Sequence, residues 1–307
     1  MGFQMALVDI LLASYNGERY IEAQLLSLIC QSFRDWRLLV HDDGSTDATI
    51  EVIKKWNLID SRIQLIEDDV ICGGAAKNFM HLIKRANADY VMFCDQDDIW
   101  FDNKIEIMLN SIQKKQKNIP QIVYSGGYVW KPKHGISGKI PLVTPKKIEQ
   151  LLFLNGGQNG CTAIFNRAMC IVLSKWERDL AMHDHLLHLA GLSLGEVEYV
   201  SLPLMLYRQH ENTVTSETVT SARDIKGIIR RSMNAVVYKK HYDTIQNFYC
   251  FYKNIIRPHS LRKIEIFLKL PQLKKIHRLM VIWREQYQLL NTRVRLLIKI
   301  LVRPYIA

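Results

Sequence analysis

The sequence predicts an α/β protein, with a mostly parallel sheet covered by helices on both faces, followed by a basic helical C-terminal region. Three observations support this prediction. Short apolar segments alternate with segments of helical periodicity between residues 6 and 94, polar turns follow the apolar segments, and the excess of positive charge lies in the last 86 residues. The 307 residues, 48% of them hydrophobic, are enough to bury a core without disulfides.

The predicted elements alternate from the N-terminus onward. Residues 6–13 are mostly apolar, which is typical of a buried strand, and they lead into Ser14-Tyr15-Asn16-Gly17. A helix follows over 20–31, and a second strand is predicted to end at Asp42-Asp43-Gly44-Ser45 before another helix. The same patterns predict strands at 63–66, 90–94, 161–165 and 197–201, helices at 77–86, 102–117 and 183–194, and a loop at 131–147. Ligands bind such sheets where the carboxyl ends of strands meet loops.

The charge distribution predicts two domains. Residues 1–221 carry 22 Lys and Arg against 26 Asp and Glu, whereas residues 222–307 carry 19 against 4. We therefore expect an α/β domain at 1–221 and a basic helical region at 222–307. The positive charge of the second region predicts a polyanionic partner, either a nucleic acid or an anionic membrane surface.

The cellular compartment is predicted from what the sequence lacks. No apolar run approaches the roughly 20 residues of a membrane span, and the N-terminus has neither the basic start of a secretory signal nor the Ser or Thr that N-myristoylation needs at position 6. The six cysteines are scattered without a CxxC pair, so we expect buried thiols in a reducing compartment. We expect a cytoplasmic protein held peripherally at a membrane.

Four polar segments follow predicted strands or begin a helix, and the acidic segment at 95–98 is the most specific of them. Asp95, Asp97 and Asp98 place three carboxylates within four residues, which repel one another unless they share a cation. Oxygen ligands suit Mg²⁺ or Mn²⁺. A solvated acidic turn that caps the next helix is the alternative interpretation. The Asp42-Asp43 pair and His183-Asp184 have similar alternatives, an Asx turn and a helix cap.

Together these segments resemble the inverting glycosyltransferases of family 2, which have the GT-A fold. The resemblance covers about residues 5–215 and lies in six segments in family order: VDILLASYNGERYIEAQLLSL, LLVHDDGSTDATIEVI, ADYVMFCDQDDIWFDNKI, NGCTAIFNR, MHDHLLHLAGLSLG and LPLMLYRQHENTV. CDQDDIW, HDHLLHLA and YRQHEN look closest to the bacterial rhamnosyltransferase-like branch, whose members build O-antigens and streptococcal rhamnans.

The resemblance implies roles for individual residues on the donor side. It implies that Ala13, Tyr15 and Glu18 line the nucleotide base and ribose. Asp43 would accept a hydrogen bond from the pyrimidine ring, and Lys77 or Asn78 would lie near the diphosphate. Ala13 departs from the family pattern, in which Ser or Thr is common.

The resemblance also implies a metal site and a catalytic base. Asp95-Gln96-Asp97 matches the family's D-x-D motif, with Asp97 the direct metal ligand and Asp95 directed toward the ribose or the metal. Asp184 matches the base, and His210 matches a histidine that completes the metal or diphosphate site. His185 stands where an aromatic residue is frequent.

The implied function is inverting transfer of a sugar to a polyprenyl-diphosphate-linked glycan in O-antigen or capsule synthesis, on the inner face of the bacterial plasma membrane. Rhamnose from dTDP-rhamnose is the first choice, and UDP-galactose, UDP-glucose and UDP-N-acetylhexosamines are alternative donors. A degenerate, membrane-bound scaffold that only binds sugar nucleotide is the non-enzymatic alternative. A dehydrogenase and a P-loop NTPase are disfavoured because G-x-G-x-x-G and G-x-x-x-x-G-K-[ST] are absent. A sugar nucleotidyltransferase is disfavoured too, because a Gly-rich loop with Arg or Lys should follow its first strand and this chain has SYNGE there. A nucleic-acid binder is supported only by the positive charge of the tail.

Overall fold

The computed structural model describes residues 7–141, 144–209, 235–289 and 291–306. The chain divides into two compact units. The first contains residues up to 142 together with 159–176 and 195–212, and the second contains 143–158, 177–194 and the C-terminal residues from 213. The predicted boundary at 221 lies outside the described residues, so the division into 1–221 and 222–307 stays a prediction.

The first unit is a mixed sheet flanked by helices. In chain order its main elements are β1 (Val8–Ser14), α1 (Ile21–Ile29), β2 (Trp36–Asp42), α2 (Thr49–Ile59), β3 (Ile63–Leu65), α3 (Ala75–Leu82), β4 (Tyr90–Asp95), β5 (Ile99–Trp100), α4 (Lys104–Ile112), β6 (Gln121–Lys131) and β7 (Gly135–Lys139). The second unit contributes α5 (Ile148–Leu151). The first unit then continues with β8 (Ala163–Asn166) and α6 (Arg167–Ser174), and it ends, beyond the helix α7 (His183–Leu194) of the second unit, with β9 (Glu196–Arg208).

The strand order confirms the predicted α/β class. The order is β3-β2-β1-β4-β8-β6-β9-β5, with β7 paired to β6. β1 pairs in parallel with both β2 and β4, and β2 pairs in parallel with β3. Every apolar side chain of β1 from Val8 to Leu12 is fully buried, because helices cover both faces of the sheet. This register aligns the carboxyl ends of β1, β2 and β4.

Two elements differ from the sequence-based expectation. Residues 131–147 were expected to form a loop, but 135–139 form β7, which pairs antiparallel with the end of β6. The predicted strand at 197–201 extends to Arg208, because β9 pairs in parallel with β6 along most of its length. The two glycines and the lysine of β7 are typical of a loop, because this exposed edge strand has no alternation of apolar and polar residues.

The second unit is helical, and its C-terminal part consists of α8 (Lys239–Tyr252), α9 (Pro258–Lys269), α10 (Lys275–Arg284) and α11 (Arg293–Val302). Nearly all of α7 is buried. Phe153 packs edge-on against Phe267 at 5.2 Å and against Tyr287 at 5.5 Å between ring centroids. The Thr244 hydroxyl accepts a hydrogen bond from the Ala181 amide at 2.8 Å. The tail helices therefore fold together with the segments that precede and contain α7.

Two expectations about the compartment can be compared with the structure. Among the described residues, no helix is long and apolar enough to cross a membrane. Cys94, Cys161 and Cys170 are buried as expected, whereas Cys30 and Cys250 are exposed and Cys72 is half-buried. Cys30 and Cys250 are exposed although apolar residues adjoin them in the sequence, so apolar neighbours in the sequence do not guarantee burial.

Candidate active site

The loops after β1 and β2 are joined by the carboxylate of Asp42. Its Oδ2 accepts hydrogen bonds from the hydroxyls of Ser14 at 2.8 Å and Ser45 at 2.7 Å, and its Oδ1 accepts from the Ser45 amide at 2.7 Å. Ala13, at the end of β1, pairs with His41 on one side and Asp95 on the other. The register therefore places Ala13 between the two acidic segments, and its contact with a nucleotide stays a prediction.

Gln96 connects the acidic motif to the loop after β1. Its side-chain Oε1 accepts from the Tyr15 amide and its Nε2 donates to the Tyr15 carbonyl, both at 2.9 Å. Gly17 leaves room for this pairing, because a Cβ at that position would lie 2.3 Å from the Gln96 Oε1. The Tyr15 side chain remains 55% exposed. The Gln96 amide thus holds the loop backbone and leaves the Tyr15 ring accessible to a ligand.

Glu18 and Asp43 both bind backbone groups. The Glu18 Oε2 accepts from the Ala48 amide at 3.1 Å, just before α2. The Asp43 Oδ1 accepts from the amides of Cys72 and Gly73, and its Oδ2 accepts from the Gly74 amide at 2.6 Å. Asp43 is 8% exposed, and it fixes the 72–74 loop. Since each carboxylate oxygen can accept more than one hydrogen bond, the contacts predicted for Glu18 and Asp43 with a nucleotide stay predictions.

The two residues assigned to the diphosphate differ in their surroundings. The buried Asn78 donates from Nδ2 to the His41 carbonyl at 3.1 Å, and its Oδ1 lies 2.8 Å from the His41 Nδ1. Lys77 is exposed in the first turn of α3. The His41 Nε2 and the His81 Nε2 both contact the carboxylate of Asp68, at 3.2 and 2.7 Å. Asn78 thus belongs to a polar network under the loop, and Lys77 is the residue of the pair with an accessible charge.

The acidic motif contains a buried group suited to a cation. Asp95, Asp98 and Cys161 have ligand atoms that all lie within 4.8 Å of one another. Asp98 is fully buried, its Oδ1 accepts from the Arg208 amide at 3.1 Å, and its Oδ2 has no hydrogen-bond partner. Burial, with repulsion from Asp95 and Asp97, raises the pKa of Asp98 well above its usual value. The carboxylate oxygens fit Mg²⁺ or Mn²⁺, which would relieve this repulsion.

Sequence analysis grouped Asp98 with Asp95 and Asp97 as carboxylates that could share a cation, but it named Asp97 as the direct ligand. Asp97 is half-buried, and its backbone carbonyl accepts from the Arg208 Nε at 2.6 Å. The assignment of the metal to Asp97 stays a prediction, and His210 lies outside the described residues. The spacing alone could have pointed to Asp98, because Asp95 and Asp98 are three residues apart around one tight turn.

Two buried cations adjoin the acidic motif, and sequence analysis missed both. The Arg208 guanidinium lies over the rings of Trp130 at 4.2 Å and Tyr20 at 4.9 Å while it holds the Asp97 carbonyl. The Lys104 Nζ donates to the Cys161 carbonyl at 2.6 Å, and burial lowers its pKa to about 8. Arg208 lies in the LPLMLYRQHENTV segment and Lys104 near the end of ADYVMFCDQDDIWFDNKI, so both could have been noticed in segments that carry the resemblance.

Asp184 lies in the first turn of α7 in the second unit. Its Oδ1 accepts from the His185 amide at 2.6 Å, and burial raises its pKa to about 6. Gly157 lies against this turn, since a Cβ there would be 3.0 Å from the Asp184 carbonyl oxygen. Burial lowers the pKa of both His183 and His188 to about 3, so these imidazoles are neutral near pH 7. A buried carboxylate with a pKa near neutrality has the properties of a general base.

The chain is similar in sequence to known glycosyltransferases. The model of the family described as "Glycosyl transferase family 2" matches residues 9–173. The chain is 31% identical to the dTDP-rhamnosyl transferase RfbG of Shigella flexneri, over 77% of this chain and 83% of that protein. It is 30% identical, over 82% of this chain and 96% of the relative, to WfaP of Escherichia coli, a UDP-Glc:alpha-D-GlcNAc-diphosphoundecaprenol beta-1,3-glucosyltransferase.

Solved structures show the same fold. The S. aureus TarS fragment 1-349 in complex with UDP-GlcNAc matches with a TM-score of 0.58 and 16% identity, over 95% of this chain and 88% of that chain. The mannosyltransferase PcManGT from Pyrobaculum calidifontis, in complex with GDP-Man and Mn²⁺, matches with a TM-score of 0.54 and 14% identity, over 91% of this chain and 75% of that chain.

Proposed function

Because the chain belongs to glycosyltransferase family 2 and has the GT-A fold, we propose that it transfers a sugar from a nucleoside diphosphate donor to a lipid-linked glycan with inversion. The observation that carries this proposal is the joining of three loops at the carboxyl ends of β1, β2 and β4. Asp42 links the first two loops and Gln96 links the first and third. A nucleotide above this edge would meet exposed Tyr15, and its diphosphate would lie toward the acidic motif.

The donor side is proposed to hold the nucleotide and a divalent cation. Tyr15 and Glu18 contact the base and ribose beside Ala13, and Asp43 accepts the imide N–H of uracil or thymine. Mg²⁺ or Mn²⁺, held by Asp95 and Asp97 with His210, would neutralise the charge that develops on the leaving diphosphate. The buried Asp98, with its unpartnered oxygen, is a further candidate ligand.

Asp184 is proposed as the general base. It removes the proton from the acceptor hydroxyl while that oxygen bonds to the anomeric carbon and the bond from that carbon to the diphosphate oxygen breaks. A single displacement inverts the configuration, so no enzyme nucleophile is needed. The buried environment and the pKa of about 6 support this role.

We propose dTDP-rhamnose as the donor, supported by the similarity to RfbG along 77% of the chain. UDP-glucose is the alternative that WfaP supports, and UDP-galactose and UDP-N-acetylhexosamines are further candidates. The test is donor hydrolysis by purified protein against a panel of nucleotide sugars. Faster hydrolysis of dTDP-rhamnose than of the other donors supports the proposal. Faster hydrolysis of a UDP-sugar would identify that sugar nucleotide as the donor instead. Hydrolysis of none of them would support a scaffold that only binds sugar nucleotide.

The acceptor is proposed to be a polyprenyl-diphosphate-linked glycan of O-antigen or capsule synthesis, at the inner face of the bacterial plasma membrane. WfaP acts on such a lipid-linked acceptor according to its name. An acceptor with its lipid in the bilayer requires the enzyme to work at the membrane surface, and the basic tail is suited to that location.

A further inference from the structure

The tail helices differ in how they place their apolar residues. α8 and α9 bury one face each, including Ile245 and Phe248 on α8 and Ile264 and Phe267 on α9. α11 also buries one face, with Leu296 and Ile300, whereas α10 buries only Ile282. Most of the large apolar residues of α10 are half-buried or exposed, unlike those of an ordinary helix at a protein surface.

The exposed residues of α10 form one stripe. Ile276, Met280 and Trp283 are spaced four and three residues apart, which puts them on one side of the helix, and each is more than half exposed. Val294 and Leu301 of α11 are also more than half exposed. Between the two helices lies an apolar groove of about 620 Å³, lined mainly by Leu279, Met280, Val281, Trp283, Leu297 and Leu301. Exposed apolar patches of this kind mark interaction sites.

The charge around this groove is almost entirely positive. Residues 271–306 contain eight Lys and Arg and a single acidic residue, Glu285. Glu285 is buried, and its carboxylate binds Lys263, Arg262 and Arg284. The Arg293 guanidinium lies 5.2 Å from the centre of the Trp283 ring, so a cation and an aromatic ring stand together at the edge of the stripe. An anionic surface would therefore meet no exposed negative charge here that could repel it.

We propose that α10 and α11 form the surface that docks on an anionic lipid bilayer, with Ile276, Met280 and Trp283 entering the headgroup region. An apolar stripe with a basic margin is the combination that binds in the plane of anionic headgroups. A second copy of this face would bring like charges together, and a nucleic acid would leave the apolar stripe without a partner. The proposal rests on the proposed function in one respect only, which is the reason for docking, because an enzyme with a lipid-linked acceptor works at the membrane.

The structure also corrects the choice of anchor residues. In the sequence of 276–303 alone, apolar residues cluster with Arg and Lys, which predicts that both Trp283 and Tyr287 lie at an interface. Tyr287 is fully buried and its hydroxyl donates to the Lys263 carbonyl at 2.5 Å, so only Trp283 can reach a bilayer. Removing the whole tail is a poor test, because α8 and α9 pack with the segments around α7. Point substitutions in the full chain are required.

The test is cosedimentation of the full chain with phosphatidylcholine vesicles, with and without phosphatidylglycerol. The double variant Ile276→Ser with Trp283→Ser should lower the partition onto phosphatidylglycerol vesicles by about tenfold or more. The matched control is Leu58→Ser with Ile59→Ser, which removes two exposed apolar side chains from α2 and should leave the partition unchanged. Lys274→Gln with Arg284→Gln should weaken binding by about fivefold per charge, and added salt should do the same.

Two outcomes would overturn the docking surface. One is equal binding by the double variant and its control, and the other is loss of a dimer, rather than of vesicle binding, in the double variant. Donor hydrolysis measured in parallel separates this proposal from the proposed function. The double variant should hydrolyse donor like the native chain, and an inactive chain that still docks through Trp283 would contradict only the enzymatic proposal.

Discussion

At the scale of single residues, Asp184 combines a proposed function with a cost in stability. Its pKa is raised by burial to about 6, so the folded protein favours the protonated form more than the unfolded chain does. The resulting loss of stability is absent below about pH 4, grows between about pH 4 and 6, and is complete above that range. The carboxylate is therefore held ionised at neutral pH against the preference of its surroundings.

Asp184→Asn should stabilise the fold at neutral pH. At pH 7.5 or so the substitution should raise the free energy of unfolding by up to about 3 kcal/mol, and near pH 4 it should change little. Denaturant unfolding at both pH values measures this. Equal effects at the two pH values would show that the Asp184 carboxyl is not buried as described. In the native enzyme, transfer should rise with pH through about 6 as the base ionises.

Asp43 has one observed role, in the 72–74 loop, and one proposed role, in nucleotide binding, and one pair of variants separates them. Asp43→Ala should weaken binding of dTDP or UDP by about 1–3 kcal/mol, because it removes a charge-assisted hydrogen bond. The same change also releases the three amides of residues 72–74. Gly74→Ala disturbs this loop without touching the carboxylate, because φ at Gly74 is 135°. Titration calorimetry that finds equal losses for both variants would mean that Asp43 acts only through the loop.

At the scale of elements, the end of β9 is proposed to position the acidic motif. Arg208 holds the Asp97 carbonyl through its side chain and the Asp98 carboxylate through its amide. Arg208→Lys keeps the charge but loses the planar contact with Trp130 and the Nε bond. We expect the Mn²⁺ concentration for half-maximal turnover to rise several-fold in this variant. Arg37→Lys is a control, since Arg37 pairs with Asp9 at the opposite end of β1.

Much of the fold could be predicted from periodicity and turn residues. The alternation up to Asp95 predicted β1, β2 and β4 and the polar loops at their ends, because buried parallel strands leave a continuous apolar run. The roles of Arg208 and Lys104, and the complete burial of Asp98, could not be predicted in this way. Their roles depend on the pairing of β9 with β6 and β5 and on burial, which bring together residues more than 100 positions apart.

At the scale of the whole molecule, the chain separates its tasks between two units. The loops proposed to face the nucleotide and the acidic motif belong to the first unit, while Asp184, the proposed base, and the tail helices belong to the second. The tail is a structural part of the second unit through α8 and α9, and in our proposal it is a membrane surface through α10 and α11. The net charge of +11 therefore reflects a specialised region rather than the whole protein.

The most direct test of the central claim compares sugar transfer and donor affinity in Asp184→Asn and Asp97→Asn. Asp184→Asn should bind donor and metal nearly as the native chain does, while transfer falls about 10²–10⁴-fold. Asp97→Asn should lose metal-dependent donor binding and turnover together. If Asp184→Asn keeps more than about a tenth of native transfer, the base lies elsewhere and the account of catalysis is contradicted.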